Sequence, residues 1–192
     1  MKRTEMRVAL ARDVLKQIKA SRLRVVSGRY VDGPLQTALK RKLNSAAPDM
    51  WSPVPDEVCN LDARDLIKGE FKGKPCSTCA KGALFVAHVL RNDKVTLERF
   101  VNVELQHLTS TVENEGEENP IPAFTPRQLD EIEMLFESQS FFNAHHDGET
   151  WTRNQLNKLR GYRLKLKGKA ARVRLETIMK LIIRNKGRKI VL

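Results

Sequence analysis

The chain has 192 residues, 41% of them hydrophobic and 30% charged, with 10 Gly, 8 Pro and 3 Cys. A polypeptide of this size removes roughly 70% of its extended surface from water on folding, so no disulfide or metal staple is required, and the composition excludes collagen-like, low-complexity and disulfide-scaffold chains. The net charge of +12 points to an anionic partner, usually nucleic acid, unless the chain neutralises itself.

Residues 5–20 predict an amphipathic helix. Ala11, Val14, Leu15 and Ile18 share one face, and Lys16, Lys19 and Arg22 gather at its C-terminal end, where the helix dipole favours cations. The first twenty residues lack the continuous apolar stretch of a signal peptide. "LRVVSGRYV" (23–31) alternates and is rich in β-branched residues, which predicts a short strand with Gly28 as a bulge or bend. Gly33–Pro34 then starts a turn, 35–43 predicts a short helix, and Pro48, Pro53 and Pro55 make an irregular loop in which Trp51 plugs the edge of the core.

"CSTCAKGALFVAHVL" (76–90) opens three readings of one motif: a redox pair, half of a zinc site, or the start of a buried helix. A thioredoxin-type pair needs a strand before it, and the preceding "LIKGEFKGKP" is short, charged and Gly-rich. A helix beginning at Pro75–Cys76 would lower the pKa of either thiol. Zinc needs four ligands, for which Cys76, Cys79, Cys59 and His88 (or His107) are candidates. His88 lies nine residues beyond Cys79, roughly 13 Å along a continuous helix, and no second matched Cys pair exists. The packing reading is therefore favoured: Ala80, Ala83, Leu84 and Ala87 make a small-residue face, and cysteine is itself often buried. The run is too short to span a bilayer. Three cysteines without an export signal predict reduced thiols, a cytoplasmic setting and no membrane partner.

Asn92 and Asp93 punctuate the end of this helix, and Leu97, Phe100, Val101, Leu105 and Leu108 predict another one capped by Asp93. Residues 113–123 read as an acidic, Pro-containing linker. Thr125, Pro126 and Gln128 form a capping box ahead of the apolar stripe Leu129, Ile132, Leu135 and Phe136. "NAHHDGETWT" is a break in which His145–His146–Asp147 reads as an exposed loop. A final helix is predicted from about Ala171, with Leu175, Ile178, Met179 and Ile182 on one face, Gly187 as its left-handed cap and "RKIVL" as a last strand.

"CSTCAKGALFVAHV" and "RLETIMKLIIRNKG" together resemble a group of small uncharacterised bacteriophage proteins, which pair a Cys-x2-Cys-Ala-x-Gly-Ala-Leu motif with such a C-terminal helix. The matching segments cover about thirty residues. The resemblance implies a phage origin and a cytoplasmic setting, and it assigns no reaction and no catalytic residue.

Charge is distributed in blocks. Residues 1–91 carry 18 basic and 9 acidic side chains (+9), residues 92–149 carry 3 and 13 (−10), and residues 150–192 carry 14 and 1 (+13). The last block holds Arg153, Lys158, Arg160, Arg163, Lys165, Lys167, Lys169, Arg172 and Arg174 within 22 residues, a density suited to phosphate contacts. Tyr162 among them could stack on an unpaired base, and the alternation in "RLKLKGK" predicts an exposed strand or ribbon. No helix-turn-helix, zinc-finger or RNA-binding signature accompanies the run. G-x-x-x-x-G-K, H-E-x-x-H and G-x-S-x-G are all absent from the sequence, so nothing asks for an enzyme.

The expected fold is mainly α, an α+β arrangement with a minor short-stranded sheet. A helical core domain is expected over 1–149, with the basic segment 150–192 packed on it. The expected function is non-enzymatic binding of nucleic acid, or of a host protein–nucleic-acid complex, by the basic C-terminal third, as in an inhibitor of host defence or a modulator of host takeover. No cofactor is expected unless Cys76 and Cys79 make this a zinc or thiol protein. A third reading is a homo-oligomer in which the acidic centre of one copy meets the basic tail of the next.

Overall fold

The structure is a computed structural model that describes residues 1–27, 31–32, 75–92, 121–137 and 152–190. These residues are mostly helical, with a small three-stranded sheet. Expected features on 28–30, 33–74, 93–120, 138–151 and 191–192, including Gly28, Trp51, Cys59, His107 and His145, lie outside the described residues.

Helix α1 (Arg3–Lys19) begins where the Glu5 carboxylate accepts the Lys2 backbone N–H at 3.1 Å, and it buries Arg7, Leu10, Ala11, Val14 and Ile18. Apolar residues at three- and four-residue spacing make that face. Leu15, expected on it, is only half-buried. The sheet follows, with β1 (Leu23–Val25), β2 (Val31–Asp32) and β3 (Cys76–Thr78) in the order β1-β3-β2. β1 runs parallel to β3 with Leu23 opposite Cys76, and β2 runs antiparallel to it with Val31 opposite Thr78. The single strand expected over 23–31 is thus two short strands on opposite edges of β3.

The cysteine motif is corrected in the same way. Cys76 does not head a helix; Cys76, Ser77 and Thr78 are the central strand, and α2 (Ala80–Arg91) starts only after Cys79, its N-cap. A three-residue strand of Cys, Ser and Thr carries too little β-branched or aromatic pattern to announce itself. Its place comes from partners distant in sequence. The small-residue face is as expected: Ala80, Ala83, Leu84 and Ala87 are buried, with Phe85, Val86 and Val89. Lys81, 2% exposed, donates to Asp130 at 3.1 Å and forms a closer ion pair with Glu133. A buried ammonium is tolerated only with such carboxylate partners.

Helix α3 (Pro126–Phe136) forms as its capping box predicts: the Gln128 N–H donates to Thr125 Oγ1 at 3.2 Å, and the Thr125 N–H donates to Gln128 Oε1 at 3.1 Å. Leu129, Ile132, Leu135 and Phe136 are all buried. The end of the expected linker is core, since Ile121 and Ala123 are buried. Arg7 reaches them from α1, donating through Nε to the Ala123 carbonyl.

Helix α4 (Arg153–Leu166) and helix α5 (Ala171–Arg184) complete the described chain. α5 has its broadest contact with α1 and also packs on α3 and β1, and Leu175, Ile178, Met179 and Ile182 join the same core as Leu10, Leu84 and Leu135. Its C-cap is Asn185, and the left-handed position after it is taken by Lys186, with φ of 53°, whose N–H donates to the Ile183 carbonyl. Gly187, expected as that cap, stands one residue further on with φ of 66° and donates to the Ile182 carbonyl. No strand forms over 188–190, although Ile190 is fully buried.

Candidate nucleic-acid interface

The basic run is helical, which overturns the ribbon expected from "RLKLKGK". The missed signal is a second capping box. Thr152 is the N-cap, the Gln155 N–H donates to Thr152 Oγ1 at 3.3 Å, and the Thr152 N–H donates to Gln155 Oε1 at 2.9 Å. That T-x-x-Q spacing was legible in the sequence. Leu159 and Leu166, seven residues apart, are the buried side of α4, and seven residues is two helical turns. Leu164, between them in the apparent alternation, is instead 62% exposed.

α4 contains Arg153, Lys158, Arg160, Arg163 and Lys165 and no acidic residue. Arg153, Lys158, Arg160 and Lys165 are exposed, as are Lys167 and Lys169 in the turn to α5 and Arg172 in its first turn. Arg163 is half-buried. Arg172 Nε donates to the Glu176 carboxylate at 3.0 Å. Gly168, with φ of 77°, makes the turn between the helices.

Two of the expected contact residues, Arg174 and Tyr162, are placed differently from the outer cations. Arg174 is only 6% exposed. Its guanidinium lies over the Phe136 ring, 5.4 Å from the centroid, and donates to Ser27 Oγ at 2.6 Å and the Lys169 carbonyl at 3.1 Å. It is a tie between α5, α3 and the end of β1. Tyr162 is half-buried against the core, with Lys165 Nζ over its ring at 5.1 Å. One face of the ring expected to stack on a base is thus turned to Lys165. Both residues fall on the inner side of their helices, which charge density alone does not reveal.

The cysteine region is a different environment. Cys76 and Cys79 form no disulfide, and both are buried. Burial first, and then Glu133 and Glu137, push the Cys79 thiol up to about 12, against the smaller opposing pull of the Gly82 and Lys81 amides. The lowered pKa expected at a helix start is reversed, because desolvation outweighs the amides here. His88, mostly buried on α2, is held below its ordinary range by burial, and Asn92 Nδ2 lies 2.9 Å from its Nδ1. Among the described residues no three His, Cys, Asp or Glu side chains are gathered as a metal set. A cleft of about 510 Å³ opens between the C-terminal parts of α1 and α2, lined by Asp13, Lys16, Arg22, Leu90 and Arg91 among others, with the Arg91–Asp13 ion pair at 2.7 Å. Among the described residues no helix is long and apolar enough to cross a membrane.

No protein-family model matches this chain, and no curated protein or solved structure matches it either.

Proposed function

We propose that this chain is a non-enzymatic protein that binds nucleic acid, or a protein–nucleic-acid complex, through α4 and the turn that follows it. The supporting observation is that α4 presents four exposed cations and no carboxylate, in two pairs that flank the side opposite Leu159 and Leu166. A helix surface that carries only positive charge repels itself. An anionic partner relieves that repulsion and releases counterions from the phosphate backbone. The resemblance to small phage proteins adds a cytoplasmic setting in an infected host, where a binding protein of this kind would act on host defence or on host transcription and replication.

The test is fluorescence anisotropy of the full chain with labelled single- and double-stranded oligonucleotides across a salt series. Binding should weaken linearly with the logarithm of salt concentration. Lys158→Ala, Arg160→Ala and Lys165→Ala together should flatten that slope by about one per cation removed. Absence of salt-dependent binding, or an unchanged slope in the triple variant, sinks the proposal. A host protein captured from nuclease-treated lysate and released by the same triple variant would redirect it to a protein target.

A further inference from the structure

Given that reading of α4, we infer that its exposed face is built to enter the major groove of B-form DNA, with Asn154 and Asn157 reading base edges. At 3.6 residues per turn, Asn154, Asn157, Gly161 and Leu164 fall on one stripe, and all four are exposed. Arg153 and Arg160 run along one side of that stripe and Lys158 and Lys165 along the other, each pair seven residues, or about 10.5 Å, apart. Cations thus flank a centre of amide, glycine and aliphatic side chains. That is the order of groups a groove presents: phosphates on both walls, base edges on the floor.

The chemistry of the central stripe matches the floor. A carboxamide offers a donor and an acceptor together and pairs with the N6 and N7 edge of adenine, and an aliphatic group suits the thymine methyl. Leu164 is the most exposed large apolar side chain within any described helix or strand, and such a contact would cover it.

Gly161 is the independent observation. It sits in the interior of α4, where glycine is less favourable than alanine. A Cβ there would meet nothing within 4 Å, and φ at this position is not in the left-handed region. Nothing in the described fold requires a glycine at this place. A partner approaching the helix backbone closely, between the two cationic flanks, gives the glycine a role.

Dimensions choose between nucleic acids. α4 is 14 residues long, about 21 Å, with a side-chain diameter of about 10–12 Å. The B-DNA major groove is about 12 Å wide and admits a helix, whereas the A-form RNA major groove is too deep and narrow for side chains to read.

The experiment selects duplexes from a randomised DNA pool with the full chain, then measures anisotropy on the enriched duplex, a scrambled duplex and the enriched sequence as duplex RNA. Preference for the enriched duplex is expected, with RNA bound at least about tenfold more weakly. Asn154→Ala with Asn157→Ala should cut affinity for the enriched duplex about tenfold or more while leaving the scrambled duplex and the salt slope unchanged. Gly161→Leu should keep or raise the melting temperature and weaken duplex binding. If salt-dependent binding survives but no duplex is enriched, or the Asn variant weakens all duplexes equally, or RNA binds as well as DNA, the groove reading falls and the proposed function stands. If no nucleic acid binds at all, both fall.

Discussion

A Cβ placed on Gly187 would lie 2.1 Å from the carbonyl oxygen of Thr4. The turn that ends α5 is therefore pressed directly against the first turn of α1. Arg7 reinforces the junction by donating through Nη1 to the Gly187 carbonyl at 3.0 Å, and α1 and α5 share the broadest contact between described elements. The two ends of the described chain close the core together.

Gly187→Ala should accordingly be far more damaging than the same change at Gly161 or Gly168, where a Cβ would meet nothing within 4 Å. It combines a left-handed φ of 66° with a backbone clash that no side-chain rotation relieves. A loss of roughly 2–4 kcal/mol is expected, read as a lower midpoint in urea denaturation. A midpoint equal to wild type would show that α1 and α5 do not meet in this way.

Arg174 and the outer cations should separate cleanly. Arg174→Met removes the contact over Phe136 and the bond to Ser27 and should destabilise the fold by roughly 2–3 kcal/mol. Arg174→Lys should rescue little, because an ammonium lacks the planar fork that reaches ring, hydroxyl and carbonyl together. Lys158, Arg160 and Lys165 are exposed, and their alanine variants should stay within about 0.5 kcal/mol of wild type. Thermal melts of the five variants against wild type test the contrast.

Cys79 should be inert to alkylation in the native state at neutral pH, since the thiolate is the reactive form and burial holds the thiol near 12. Its folded pKa lies above the ordinary 9.0. The neutral-thiol contribution to stability is therefore complete below pH 9 and is lost as pH rises toward 12. Iodoacetamide labelling with mass-spectrometric readout should modify Cys79 only with added denaturant. Fast native labelling would mean the thiol is reached by solvent.

His88 carries the opposite sign. Burial holds its folded pKa below the ordinary 6.5, so the neutral ring stabilises the fold above pH 6.5, and that contribution is lost as pH falls through the folded value. Protonation also turns Nδ1 into a donor facing the Asn92 amide at 2.9 Å. The melting temperature should drop on acidification below pH 6.5, and His88→Gln should flatten that drop. An identical pH profile in the variant would remove His88 as its source.

Local signals were readable where one element sufficed to satisfy them. Thr125, Pro126 and Gln128 cap α3 as their spacing requires, and Ala171 opens α5, which ends just ahead of the Asn-Lys-Gly run read as its stop. The mainly helical class with a minor sheet follows from the same short-range periodicities. The cationic composition of residues 153–172 is equally a property of sequence. What tertiary structure decided was every feature whose partners lie far along the chain. Cys76–Thr78 is a strand because β1 and β2 flank it, and the Cys79 thiol is raised because the fold takes it out of water beside Glu133 and Glu137. Arg174 points inward because Phe136 and Ser27 receive it. The face of α4 that remains for a partner is the one left after Leu159 and Leu166 are buried. Hydrogen bonds between near neighbours are written in spacing; desolvation and long-range contact depend on which surfaces meet.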